Sequence, residues 1–352
     1  MNKIRRIIND NRMYTWMVIF IILVEAFIIF GHGIKAGSVK PATLSKEEFS
    51  LQLDKRRDAF QDILRKDPQV SENFGLLSLF MLALLITGTI LSADYISKKR
   101  KSIESIPRTL DAPGALWGLG DVCKVVILFG FYSLLFSAFS FLLRSATSAP
   151  PLDRRLGMVV STGFMDLLVL MFALYFVMVK HHQGADALGL SVKRLFKNIA
   201  VAICSYVAFL PVLTVLFFAV IVAAKVFNYL PPAQPIYELI FDEKRPFLLV
   251  IITILVAVGG PIIEEVFFRG LLYGAIKKSY GIFWAITLSA FCFSILHTNL
   301  IGFIPIFGLG IFLAYLREKT GSLVPSITVH MAHNGALAGL MFILKSLTAN
   351  AV

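Results

Sequence analysis

Long apolar runs separated by short polar connections set the pattern of this chain. They lie near residues 13–34, 75–93, 121–143, 157–179 and 199–224, then at 247–276, 281–299, 302–316 and 322–345. Runs of roughly 18 or more apolar residues are long enough to cross a bilayer as helices. The pattern predicts an all-α fold: a polytopic integral membrane helical bundle of eight or nine transmembrane helices. Between the first two runs, Phe49, Leu53, Phe60, Ile63 and Leu64 recur at helical spacing. That stripe predicts an amphipathic helix over 46–66, outside the bilayer, with Ser45 and Glu48 as a capping box. The expected organisation is an N-terminal set of membrane helices over 1–240, including an extramembrane segment at 35–73, and a compact core at 245–346.

Composition agrees with a membrane location. Of 352 residues, 57% are hydrophobic and 16% charged, against about 45–50% and 25% in soluble domains. The net charge of +12 does not call for nucleic acid as a partner, because the basic residues cluster between apolar runs, as at Lys98-Lys99-Arg100-Lys101 and Lys193, Arg194 and Lys197. Such placement fits anchoring at the cytoplasmic face and predicts a multi-pass protein with a cytoplasmic amino terminus. The first run lacks a small-residue cleavage site after it and is expected to remain as an anchor. Cys123, Cys204 and Cys292 sit in apolar runs without metal-type spacing and are expected to be buried, unpaired side chains.

The last hundred residues differ from the rest. Polar groups interrupt their apolar runs at Glu264, Glu265, Arg269, His297, His330, His333 and Asn334. A charge at the centre of a membrane helix costs about 2.5–3.5 kcal/mol on insertion scales, so three within GPIIEEVFFRG (260–270) require a reason. Glu265 and Arg269 are four apart and share a helix face, where they can pair. Glu264 is rotated by about 100° from Glu265 at 3.6 residues per turn, which frees it to face another element. Gly259-Gly260-Pro261 can bend or open the helix just before the acids.

A hairpin centred on Ser279-Tyr280-Gly281 would set Glu264 and His297 at one depth, each roughly 20–25 Å from the turn at 1.5 Å per residue. His330 and Asn334, four apart on one face, would approach from the last helix. A glutamate, two histidines and an asparagine converging in a low-dielectric layer point to hydrolysis. Burial makes a carboxylate a better base, and imidazole and amide groups can stabilise an oxyanion. The same Glu264, His297 and His330 are plausible ligands for a divalent metal such as zinc that would ionise water. Spacing leaves both routes open.

These motifs resemble those of the CPBP family, the CAAX-protease and bacteriocin-processing membrane proteases, also called Abi. GPIIEEVFFRG is similar to its Glu-Glu-x-x-x-Arg motif. Phe293-Ser294-Ile295-Leu296-His297 is similar to its Phe-x-x-x-His motif, and His330-Met331-Ala332-His333-Asn334 to its His-x-x-x-Asn motif. The resemblance covers roughly residues 245–345. It implies a glutamate-type intramembrane endopeptidase, in some descriptions a metalloprotease, acting on a membrane-associated protein or peptide. By it, Glu264 and His297 activate water, His330 and Asn334 stabilise the oxyanion, and Glu265 and Arg269 support them. His333 has no role in the motif.

Other readings are weaker. The same fold can serve a non-catalytic immunity or binding partner in the membrane. A transporter lacks its usual sign, a duplicated half with matching broken helices. Gly118-Leu119-Gly120-Asp121 resembles an aspartyl intramembrane protease motif, but the chain has no Tyr-Asp partner and Asp121 stands where a helix cap is favoured. Glu25 and Asp166 interrupt their helices as expected bundle-facing groups, and His181-His182 reads as a solvated pair at the membrane interface. The oligomeric state has no signature in the sequence.

Overall fold

A computed structural model describes residues 11–31, 46–101, 114–146, 154–228, 239–240, 243–297 and 302–349. Ser45, the proposed cap of the amphipathic helix, and residues 35–45 of the extramembrane segment lie outside them, as do the side chains of Phe49 and Leu53.

The regular structure of the described residues is all helical, with no strand. Helix α1 spans Arg12–Gly31, α2 Lys46–Lys66, α3 Pro68–Lys101, α4 Leu119–Ala146, and α5 Arg154–Leu174 with a π-helical end at Tyr175–Lys180. A short 3-10 turn, Ala185–Leu188, precedes α6, Leu195–Val226. Helix α7 is composite: Pro246–Ile254, a π turn at Leu255–Gly259, Gly260–Glu265, and a second π stretch at Val266–Leu272. It runs straight into α8, Tyr273–Ile295; α9, Phe303–Thr320, and α10, Val324–Ala349, complete the order.

Among the described residues, six stretches are long and apolar enough to cross a membrane. One of them, Pro246–Ile295, has 50 residues, enough for two crossings. Gly281, at φ 83°, breaks the helix within it. The Phe268 and Phe293 rings then meet edge to face at 5.3 Å between centroids, although a straight helix would hold them about 37 Å apart. The two shorter helices α1 and α9 bring the bundle to the nine apolar runs expected.

Apolar side chains cover the outside. Trp16, Phe141, Phe218 and Phe283 are all more than 60% exposed, which costs nothing against lipid and would be a liability in water. The same logic corrects the cysteine expectation: Cys123 and Cys204 are exposed and Cys292 half-buried, all unpaired. Apolarity does not predict burial here, because in a bilayer the outer surface is as apolar as the core. Glu25 also departs from expectation and lies on the exposed face of α1.

Helix α2 occupies the predicted range. Its exposed face carries the Arg57–Asp54 and Lys66–Asp62 ion pairs, at 3.2 and 2.7 Å. Phe60 packs edge-on against Phe74 of α3 at 5.3 Å, so its apolar stripe is partly spent on α3. Asp67 caps the start of α3, accepting from the Gln69 and Val70 amides at 3.0 and 3.3 Å, with Pro68 at the first helical position where its missing N–H is harmless.

Helix directions place the ends of α3, α5 and α9 at one side of the bundle, together with the starts of α4, α6 and α10. Lys180, Lys193, Arg194, Lys277, Lys278 and Arg317 all belong to that end. Helix α1 runs parallel to α4, with Lys124 over the Tyr14 ring and Phe131 against Phe20. Its start therefore lies at the same basic end. There Asp121 and Gly118 form the predicted cap: the Gly118 amide donates to Asp121 Oδ2 at 3.1 Å. Asp121 also pairs with Lys180 and, at 2.9 Å, with His181, which uses its carboxylate structurally and joins His181 to a partner.

Candidate active site

The site is built on the segment between the two π turns of α7. Glu265 and Arg269 are both fully buried, and Arg269 Nη1 donates to Glu265 Oε1 at 2.8 Å. The guanidinium also donates to the Gly310 carbonyl of α9 at 3.2 Å and stacks over Phe293 of α8 at 4.3 Å. Three elements thus converge on one arginine. The expected brace is present and has a further purpose: Glu265 Oε1 accepts from His330 Nδ1 on α10 at 3.1 Å.

That bond fixes the imidazole. A carboxylate only accepts, so Nδ1 carries the proton, and Nε2 is turned toward Glu264, 3.8 Å from its Oε2. The Glu264 side chain is one third exposed, but Oε2 itself is buried and has no hydrogen-bond partner. The adjacent acids have therefore separated as the helical wheel predicts: Glu265 engages Arg269 and His330 through Oε1 while its Oε2 is left without a partner, and the partly exposed Glu264 takes no hydrogen bond from a described residue.

His297 stands at the end of α8, where the described helix stops. Its Nδ1 lies 2.8 Å from the Phe293 carbonyl. The carbonyl can only accept, so Nδ1 donates and a neutral ring keeps its Nε2 lone pair for an incoming proton. Since Phe268 and Phe293 pair across the hairpin, four residues further along each arm bring Glu264 and His297 to the same depth. Phe293 links the histidines, its ring lying 4.7 Å from that of His297 and 5.5 Å from that of His330.

Asn334 completes the set in an unforeseen way. Its Nδ2 donates to the Val256 carbonyl at 3.0 Å, inside the first π turn. The Gly-Gly-Pro stretch does not break the helix: Gly259 and Gly260 keep helical angles. It widens instead to i→i−5 bonding, as the Gly260 amide shows by donating to Leu255 O.

Three contributions escaped the sequence. Gly310 and Phe293 hold Arg269; Phe293 stood in a recognised motif, but no periodicity marks an arginine partner. Asp166 lies on α5, which packs against the Gly260–Glu265 segment that carries Glu264. His333, which the motif leaves idle, bonds Tyr206 of α6 at 3.0 Å and ties α10 to the N-terminal helices. Among the described residues no three His, Cys, Asp or Glu side chains are grouped to hold a metal ion, so the zinc alternative finds no ready donor set.

Residues 246–336 match the family model for type II CAAX prenyl endopeptidases, described as Rce1-like. The matched stretch contains Glu264, Glu265, Arg269, His297, His330 and Asn334. No curated protein and no solved structure matches the chain.

Proposed function

Because residues 246–336 carry an Rce1-like CAAX prenyl endopeptidase domain inside a bundle of apolar helices, we propose that the protein is an intramembrane endopeptidase in which Glu264 and His297 activate water. The observation that carries this reading is the Glu264 carboxylate, one third exposed and without a hydrogen bond among the described residues, facing a histidine whose other nitrogen is anchored on Glu265.

Water hydrogen-bonded to Glu264 attacks the scissile carbonyl carbon, and its proton passes to Glu264, with His297 Nε2 as the second acceptor. The carbonyl oxygen becomes an oxyanion, stabilised by the Asn334 amide, which has one N–H beyond that given to Val256, and by His330 when its ring carries a second proton at Nε2. Collapse breaks the C–N bond, and Glu264 returns the proton to the leaving amine. Glu265 and Arg269 hold His330 in register throughout. Pre-aimed donors of this kind supply much of the barrier reduction in acyl transfer.

The substrate in this reading is a membrane-associated peptide, with a prenylated C-terminal peptide as the first to try. The basic end of the bundle would face the cytoplasm, as positive charge in short loops favours, and the amino terminus with it.

The test is turnover of a fluorogenic prenylated peptide by the purified protein in detergent. Glu264→Gln and His297→Ala should each lower kcat at least a hundredfold while thermal unfolding stays near that of the parent. Full activity in Glu264→Gln would remove the hydrolytic role and leave a binding protein.

A further inference from the structure

At the basic end of the core, remote from Glu264, a cavity of about 320 Å³ opens between the 3-10 turn at Ala187, the loop before α4, and the helices around Tyr273 and Arg317. Lys277, Lys278 and Arg317 line it, against Glu318 as the one carboxylate. That carboxylate is occupied: Glu318 Oε2 accepts from Tyr273 Oη at 2.7 Å and from Lys277 Nζ at 2.6 Å.

Arg317 is 9% exposed, and its guanidinium makes no hydrogen bond or ion pair among the described residues; Nε is buried without an acceptor. Burying a cation in this way is expensive unless an anion answers it. The surroundings are nonetheless shaped to the group. Gly189, at φ 93°, lies flat against the guanidinium, and a Cβ there would come within 2.6 Å of its Cζ. Lys278 Nζ is tethered to the Leu116 and Trp117 carbonyls at 2.6 and 3.3 Å, which holds a second positive charge at the cavity. A planar fork plus point charges is the chemistry that recognises phosphate oxygens. The cavity also stands among helix ends, the level at which lipid headgroups lie.

We propose that this cavity binds a phosphate group, with Arg317 as the directional partner and Lys277 and Lys278 as flanking charges. The phosphate belongs either to an anionic lipid headgroup or to a free phosphate, and one experiment separates the two. Thermal unfolding of the full-length protein is followed in neutral detergent while inorganic phosphate replaces chloride at constant ionic strength. It is repeated in lipid discs of phosphatidylcholine with and without phosphatidylglycerol. Binding predicts a saturable rise in Tm of several degrees, as ligand linkage requires. A response to inorganic phosphate identifies the free anion as sufficient, and a response to phosphatidylglycerol alone identifies the headgroup. Arg317→Gln should abolish the rise, and Lys278→Gln should weaken the half-saturating concentration at least fivefold. Gly189→Ala should act like Arg317→Gln by displacing the guanidinium. If Arg317→Gln does not fold, the other two variants decide. The proposal is overturned by the absence of a saturable response in both settings, or by an unchanged response in the variants that fold.

Discussion

Asn334 supplies the hydrogen bond that Pro261 cannot make. In the π turn before the acids, each amide donates to the carbonyl five residues back, as Gly260 does to Leu255. The next in line is Pro261, whose partner would be Val256, and proline has no N–H. Asn334 Nδ2 reaches that same carbonyl at 3.0 Å, from 78 residues away.

This substitution of one donor for another is testable as a cycle. Asn334→Ala leaves Val256 O unpaired and should destabilise the protein by about 1–3 kcal/mol, the cost of a stranded buried acceptor. Pro261→Ala in the same background restores a backbone donor and should recover part of that loss. Denaturation of the four proteins measures the coupling. Activity should not return with stability, since the second Asn334 N–H is also gone.

The Glu265–Arg269 pair is closed to solvent, and breaking one side of such a pair costs about 3–5 kcal/mol. Arg269→Met should therefore be more damaging to stability than Glu264→Gln, which touches a partly exposed carboxyl. Arg269→Met should also abolish turnover, because Glu265 would lose the cation that balances it while it orients His330. Thermal melts and kcat measured on the same preparations separate the two effects.

The separation of the two acids, with Glu265 paired to Arg269 and Glu264 turned elsewhere, was legible in the sequence, since it follows from helical geometry alone. So was the hairpin centred on Ser279-Tyr280-Gly281, where a tight turn joins two apolar runs. The π turns were not, because widening the helix leaves no mark in a periodicity read at 3.6 residues. Nor was the Asn334–Val256 bond, which depends on how α10 packs beside α7. Glu265 could be paired with its local arginine, but its bond to His330 joins residues 65 positions apart. Burial of the cysteines was misjudged because apolarity no longer distinguishes inside from outside once lipid is the solvent.

Acid sensitivity should be traceable to Glu243, just before α7 and outside the membrane-spanning segments. It is 2% exposed. Hydrogen bonds from the Arg245 side chain, then from the Arg245 amide, hold its carboxyl down at about 2, below the ordinary 4.5. A depressed folded value means the charged form is favoured by folding. The stabilisation is complete above pH about 4.5 and is lost as pH falls toward 2. Glu243→Gln should be less stable than the parent at pH 6, and the gap should narrow over pH 4.5 to 2 in unfolding curves.

Gly310 offers a test of the site from outside it. Its carbonyl receives Arg269, and its missing side chain lets α9 approach α8: an added Cβ would lie 3.1 Å from Ala290 Cβ and 3.2 Å from Ala290 Cα. Backbone cannot yield as a flexible side chain can, so Gly310→Ala should push the helices apart by a few tenths of an ångström and Gly310→Leu by more. Close approach through small residues is how membrane helices gain packing energy. Gly310→Ala should cost about 1–3 kcal/mol, as overpacking does, and lower kcat through the loosened Arg269–Glu265–His330 chain with little change in KM. A Gly310→Leu protein of undiminished kcat would show that the buried arginine does not position His330 for the reaction.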